Sequence, residues 1–449
     1  VTTTLASDAS DASNISGGSG VPTALDAPSS PDGTDARITA DARSDRLRAN
    51  PDLRNLFTAA AAAKLGTHVA YVAVPLIAVE SLGAGAGEVG ALAALATAAN
   101  LLFGLPAGAW IDRSRKRPLM VAADLARAAL LVSVPVAWWF GALTIWQMYA
   151  VVFLAGIGTT VFDIAQQSML PAIVDRHRLT GANARLVALD SGLTIGGRGL
   201  AGFLVSLIGA PFALAFNAFG YVWSAVFVRR VRSEPEPTGS GLSLAADIGG
   251  GLRHVWRSPA LRALASAGAI NNFSIQMFLA MLPLIWIGSG LPAYGLGLML
   301  SVAGVGILVG AAAARRLRAR FGTARVLWMV GAIAGPPALC LPLVGLSAGT
   351  WLAAGAWTLV GAVVGVANVV GMSLRQQITP DALLGRMNAV FQFVFMGAVA
   401  LGAASAAVVG ELASPRTAAW VGAVGIALHW IMLFTARRSL RDSVGALEG

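Results

Sequence analysis

Asp163, Asp190 and Arg198 head the list of charged residues that stand inside long apolar stretches. A charge in hydrocarbon costs roughly 2.5–3.5 kcal/mol on insertion scales, so each marks either a functional position or an ion pair. A carboxylate placed there can trade a proton with each side of a membrane in turn, and an arginine there can hold an anion. Asp163 lies roughly ten residues from the end of its stretch and Asp190 roughly eight into the next, so at 1.5 Å per residue their depths match. Arg198 follows two turns after Asp190 on nearly the same helix face. A brace between those two is the structural alternative to proton or anion chemistry. Lys64 and His68, spaced i, i+4, share a face; they read either as a relay or substrate contact or as a packed neutral imidazole beside a lysine. Asn271, Asn272 and Gln276 are unusually polar for an apolar stretch and suit hydrogen bonds to a substrate or to a facing helix. Asp124 and Arg127, i, i+3, read as an internal brace.

The elements that carry these residues are membrane spans. The chain is 56% hydrophobic and 12% charged over 449 residues, far too little charge for a soluble surface of this size. Apolar stretches of about twenty residues, each long enough for a bilayer core of about 30 Å, fall near 55–80, 86–111, 119–140, 145–171, 182–209, 211–229, 260–287, 293–316, 323–346, 350–376, 386–411 and 416–436. The fold class expected is therefore all-α: twelve transmembrane helices in two six-helix bundles, 51–229 and 260–437. A polar segment at 230–259 reads as a cytoplasmic linker between them and 438–449 as a cytoplasmic tail. Residues 1–50, rich in Ser, Thr, Asp and Gly, lack the apolar surface to fold and read as a disordered cytoplasmic tail.

The +10 net charge does not indicate nucleic acid, because the arginines sit in short clusters between apolar spans. Those clusters fall in every second loop, near 112–117, 175–178, 229–257, 315–325 and 375–386, and the alternate loops near 141–145, 210, 288–292 and 347–350 hold none. That bias puts both termini in the cytoplasm. The single cysteine, Cys340, excludes an intrachain disulfide and a cysteine metal site.

The loop after the second span is the most distinctive stretch. Gly104 and Gly108 lie four apart on one helix face, and Asp112, Arg113, Lys116 and Arg117 follow. A degraded copy returns with Gly306, Gly310, Ala314, Arg315 and Arg316. A second echo pairs Gln166-Gln167 and Asn183 with Gln376-Gln377 and Asn388. Two echoes in register indicate a duplicated six-helix unit. The glycines permit close helix approach. Asp112, at a helix end, can pair with an arginine or cap a neighbouring helix in one access state, an inner gate; the basic residues alternatively only anchor to headgroups.

At these residues the chain resembles the major facilitator superfamily, whose G-x-x-x-D-R-x-x-R-[KR] loop is matched by Gly108, Asp112, Arg113, Lys116 and Arg117. Within it, Asp124-Leu-Ala-Arg127, Phe162-Asp163 through Pro171, and Asn183-Ala-Arg185-Leu resemble the drug–proton antiporters that include macrolide and siderophore exporters. Such exporters carry Gly-Pro in the middle of helix 5, where this chain has Gly197-Arg198. The resemblance implies two pseudo-symmetric bundles about a cavity that opens alternately to each side. It implies proton-coupled efflux of a small amphipathic organic compound. A facilitator or symporter for a small metabolite remains the alternative within transport. A polytopic membrane enzyme would need a clustered His/Asp or Ser/His site, and four histidines offer none. No nucleotide-binding loop or metal spacing appears, so no cofactor is expected. The expected partners are the small-molecule substrate, protons and membrane lipids, with no nucleic acid, for a monomer in the plasma membrane.

Overall fold

The computed structural model describes residues 50–174, 179–234, 244–380 and 383–448. The tail expected to be disordered lies, but for Asn50, outside the described residues. In the first bundle are α1 (Pro51–Leu82), α2 (Ala86–Asp112), α3 (Lys116–Trp139), α4 (Ile145–Ile173), α5 (Leu179–Ile208) and α6 (Ala210–Arg229). After α7 (Leu244–Arg257) come α8 (Pro259–Gly288), α9 (Ala293–Phe321), α10 (Thr323–Ala338), α11 (Gly349–Gln377), α12 (Leu384–Leu412), α13 (Pro415–Leu428), α14 (Trp430–Thr435) and α15 (Arg437–Glu448). Among the described residues, twelve stretches are long and apolar enough to cross a membrane; α10 with a short 3-10 turn makes the ninth, and α13 with α14 the twelfth.

The helix starts follow from local chemistry. Asn50 accepts hydrogen bonds from the Asp52 and Leu53 N–H groups at 3.0 and 3.2 Å, and Pro51 opens α1. Ser258 and Pro259 do the same for α8, with Leu261 N–H donating to Ser258 Oγ at 3.3 Å. Such caps satisfy N–H groups that have no partner within the helix. Gly83, at φ 64°, turns the chain from α1 into α2, in the left-handed region that glycine enters without strain.

Two helices lie in the segments read from the sequence as linker and C-terminal tail. The linker contains α7, whose buried Val255 joins the second bundle's core, and the last segment is α15, whose Leu440 does likewise. Each has a single helix-spaced apolar edge, which a search for membrane-length spans passes over.

We call the end where α1 begins and α6 finishes the tail end, and the opposite end the turn end. Within the first bundle α1 packs on α5 and α6, and α3 on α4 and α6; within the second, α9 packs on α11, and α8 on α12 and α13. The bundles meet along α2–α12 and α5–α9. A Cβ on Gly90 would lie 2.6 Å from Ala407 Cα, and one on Gly202 would lie 2.8 Å from Gly297 Cα, so backbones touch in the half of the molecule nearer the turn end. Toward the tail end the bundles part: a Cβ on Gly104 would meet only Asn100 of its own helix, and one on Gly192 or Gly385 would meet nothing within 4 Å.

Candidate functional site

A cavity of about 410 Å³ lies between the bundles. α1, α2, α4, α8, α9 and α12 line it, with Leu131 contributed by α3 and Tyr221 by α6. Its walls are mostly aliphatic, with Tyr71, Asn100, Tyr221, Gln276 and four threonines, Thr67, Thr97, Thr159 and Thr160, as polar points, and among the described residues no charged one lines it.

The charges lie toward the tail end, beside the cavity. Lys64 Nζ on α1 is 3.3 Å from both carboxylate oxygens of Asp163 on α4 and 3.6 Å from Asp190 Oδ1 on α5. The packing of α1 against α4 and α5 brings the three together. Lys64 and Asp163 are 30% and 31% exposed and Asp190 is 54% exposed, so the group is open on one side while Thr67, one turn along α1, lines the cavity. One ammonium faces two carboxylates, leaving a net negative charge.

The brace between Asp190 and Arg198, one of the two alternatives read from the sequence, is absent among the described residues, and Lys64 is the cation beside Asp190. The Arg198 guanidinium instead lies over the Tyr71 ring, 4.7 Å from its centroid, and Arg198 Nε has no hydrogen-bond partner. His68 packs on α5, within 3.3 Å of where a Cβ on Gly197 would be. Of the three polar residues read on α8, Gln276 lines the cavity; Asn272 Nδ2 donates to the Gly268 carbonyl of its own helix at 2.8 Å, and Asn271, like Asn272, is half-buried away from the lining.

The brace expected between Asp124 and Arg127 forms and is buried. Arg127 also donates to Thr159 Oγ1 at 3.2 Å and lies 4.2 Å from the Tyr221 centroid, so it backs the cavity wall from behind. Tyr71, Thr159 and Tyr221 escaped the sequence reading: an aromatic or threonine in an apolar span has no marker until its helix face is known.

Of the inner-gate residues, Gly108 and the side chain of Asp112 lie outside what is described. Arg113 is exposed and Lys116 buried. Arg117 is held within its own bundle: its N–H donates to Glu234 at 3.0 Å and its guanidinium to the Val231 carbonyl at 3.0 Å. Among the described residues no group of three or more His, Cys, Asp or Glu could hold a metal ion.

The sequence profile described as Major Facilitator Superfamily matches residues 56–403. The chain belongs to that superfamily. It is a multi-pass membrane transporter, not an enzyme. Superfamily members similar to it include the uncharacterized MFS-type transporter y4rN of Sinorhizobium fredii, 26% identical over 64% of this chain and 70% of that one. The multidrug efflux pump Tap of Mycolicibacterium fortuitum is 31% identical over 46% and 53%. Macrolide efflux protein A of Streptococcus pyogenes is 27% identical over 29% and 32%. The chain thus spans about half the length of the Tap protein and a third of the macrolide protein. Among solved superfamily-type folds, a bacterial homologue of the iron transporter ferroportin, in an inward-facing state, superposes with a TM-score of 0.71 at 16% identity, covering 86% of this chain and 98% of that one. The nucleoside transporter NupG superposes at 0.70 with 12% identity, covering 86% and 99%. At these identities the likeness speaks to fold alone.

Proposed function

We propose that the protein exports a small amphipathic organic compound from the cell in exchange for protons, with both termini in the cytoplasm and the tail end facing it. On that reading the structure is the state open to the cytoplasm. The observation that carries the coupling reading is Lys64 held between Asp163 and Asp190. With one cation for two anions, a proton on either acid leaves Lys64 paired with the other and loosens one of the three helices. That is the change a proton-driven cycle requires. The uncharged, mostly aliphatic cavity fits the apolar part of an amphipathic compound, with Gln276, Tyr71 and Thr67 as hydrogen-bonding points. The names of the Tap and macrolide relatives support efflux as the direction.

The loop residues Arg113, Lys116 and Arg117, with Asp112 and the glycines Gly104 and Gly108, form the gate that closes the tail end in the opposite state. Arg198 and His68 stand between the acids and the cavity and contact substrate. Asn271 and Asn272 support α8. The transporter works as a monomer surrounded by membrane lipids.

Transport into inside-out vesicles, driven by an imposed pH gradient, tests the coupling. Asp163→Asn or Asp190→Asn should reduce gradient-driven uptake at least tenfold with normal protein levels, and a protonophore should collapse uptake by the parent. Full activity of both variants with protonophore-insensitive transport would replace this reading with a facilitator.

A further inference from the structure

The bundles are joined at the turn end by more than packing. Helix α2 begins with N–H groups that its own helix cannot satisfy. One is used locally: Gly85 N–H donates to Glu88 at 2.9 Å. The Gly87 N–H is satisfied from the other bundle, donating to Glu411 Oε2 at 3.0 Å, and Glu411 stands in the last turn of α12. A carboxylate against the positive end of a helix makes a charge-assisted bond. The sequence around it clears the space. A Cβ on Gly87 would lie 3.1 Å from the same oxygen, and one on Gly410 would lie 2.8 Å from the Ala86 Cβ. One turn further along α2, Gly90 touches the Ala407 backbone.

We infer that Glu411 is a latch, a positioning residue that holds the turn end shut by capping α2 across the bundle interface. Glu411 is exposed at the rim, so water replaces the bond at small cost when the bundles separate. This suits a contact that must break in every transport cycle. The inference rests on the proposed reading of a transporter that alternates between two open states with its tail end in the cytoplasm.

The test uses the full chain and exploits its single cysteine, Cys340. A parent carrying Cys340→Ala and Ala93→Cys places one thiol in the cavity wall, below the latch. A membrane-impermeant maleimide is applied to intact cells and, separately, to inside-out vesicles. The parent should label in vesicles and only slowly in cells. Glu411→Ala should speed labelling of intact cells about threefold, the scale of an exposed carboxylate at a helix N-terminus. Glu411→Gln, which keeps an acceptor for Gly87 N–H, should return it to near the parent rate. Gly90→Leu, which wedges the same seam apart, should act like Glu411→Ala and guards against a defect peculiar to one variant. Unchanged labelling of cells by both Glu411→Ala and Gly90→Leu, at parental protein levels, overturns the latch. Labelling of the parent from outside only would overturn the orientation instead; the latch would then be decided by whether Glu411→Ala brings labelling to the vesicles.

Discussion

Arg198 is a guanidinium at membrane depth with no acid of its own among the described residues and an aromatic ring beneath it. Lys64 is the cation paired with both carboxylates, so removal of Arg198 leaves that pairing in place. Arg198→Ala should therefore weaken substrate binding, raising KM about tenfold on the scale of a desolvated cation–π contact, without moving the pH optimum of transport. Tyr71→Leu should act in the same direction. A shifted pH optimum for Arg198→Ala would instead tie Arg198 to the acids. The charged members of this site were legible in the sequence, because the cost of charge in hydrocarbon marks Asp163, Asp190 and Arg198 before any fold is known. Their partners were not. Lys64 and Arg198 are equally plausible cations for Asp190 along the chain, and only the packing of α1 beside α4 and α5 decides for Lys64.

At the scale of elements, the duplicated halves have diverged in a consistent way. Aligning Pro51 with Pro259 places Asn272 at the position of Lys64 and Gln276 at that of His68. Aligning the glutamine pairs places Ser373 opposite Asp163, and aligning Asn183 with Asn388 places Phe395 opposite Asp190. Two of these counterparts meet the same glycine: Asn272 donates to the Gly268 carbonyl, and Phe395 packs where a Cβ on Gly268 would be. Lys64, Asp163 and Asp190 thus have uncharged residues at the equivalent positions of the second half, where the Arg375 guanidinium lies 5.8 Å from the Phe395 ring centroid. The glycine motif has diverged the other way. A Cβ on Gly306 would lie 1.9 Å from the Thr358 carbonyl oxygen of α11, whereas Gly104 faces no neighbouring helix. Gly306→Ala should destabilise the protein by about 1–3 kcal/mol through overpacking, read as a lower thermal midpoint in detergent. Gly104→Ala should be neutral or slightly stabilising, since glycine is the poorer helix former. Equal midpoints for the two variants would contradict the packing difference. The sequence showed both glycine pairs and could not rank them, because the approach of a partner backbone leaves no trace in the motif itself.

For the whole molecule, the span count was legible because a bilayer-length apolar run needs no tertiary information, and the expected spans agree with the helices to within a few residues at most ends. Orientation rests on a separate physical bias, the retention of lysine and arginine on the cytoplasmic side. In the structure those residues gather at the tail end: Arg113, Arg115, Lys116 and Arg117 where α2 turns into α3, Arg229 and Arg230 at the end of α6, and Arg318 and Arg320 in the last turn of α9. At the turn end Arg416 is an exception with a local explanation, for it donates to the Val344 carbonyl at 3.0 Å and so ties α13 to the loop before α11. Trp139, Trp146 and Trp351 project outward at that same end, as expected of an interfacial belt. A single internally bonded arginine does not offset the clusters opposite it, so the turn end should face outward. Reporter fusions after Gly141 and Ala210 should read as external, and fusions after Arg115 and in the linker at residue 240 as internal. Inverted readings at two or more of these four sites would reverse the orientation, make this an outward-open state, and turn the proposed cytoplasmic mouth beside Lys64, Asp163 and Asp190 into an external one.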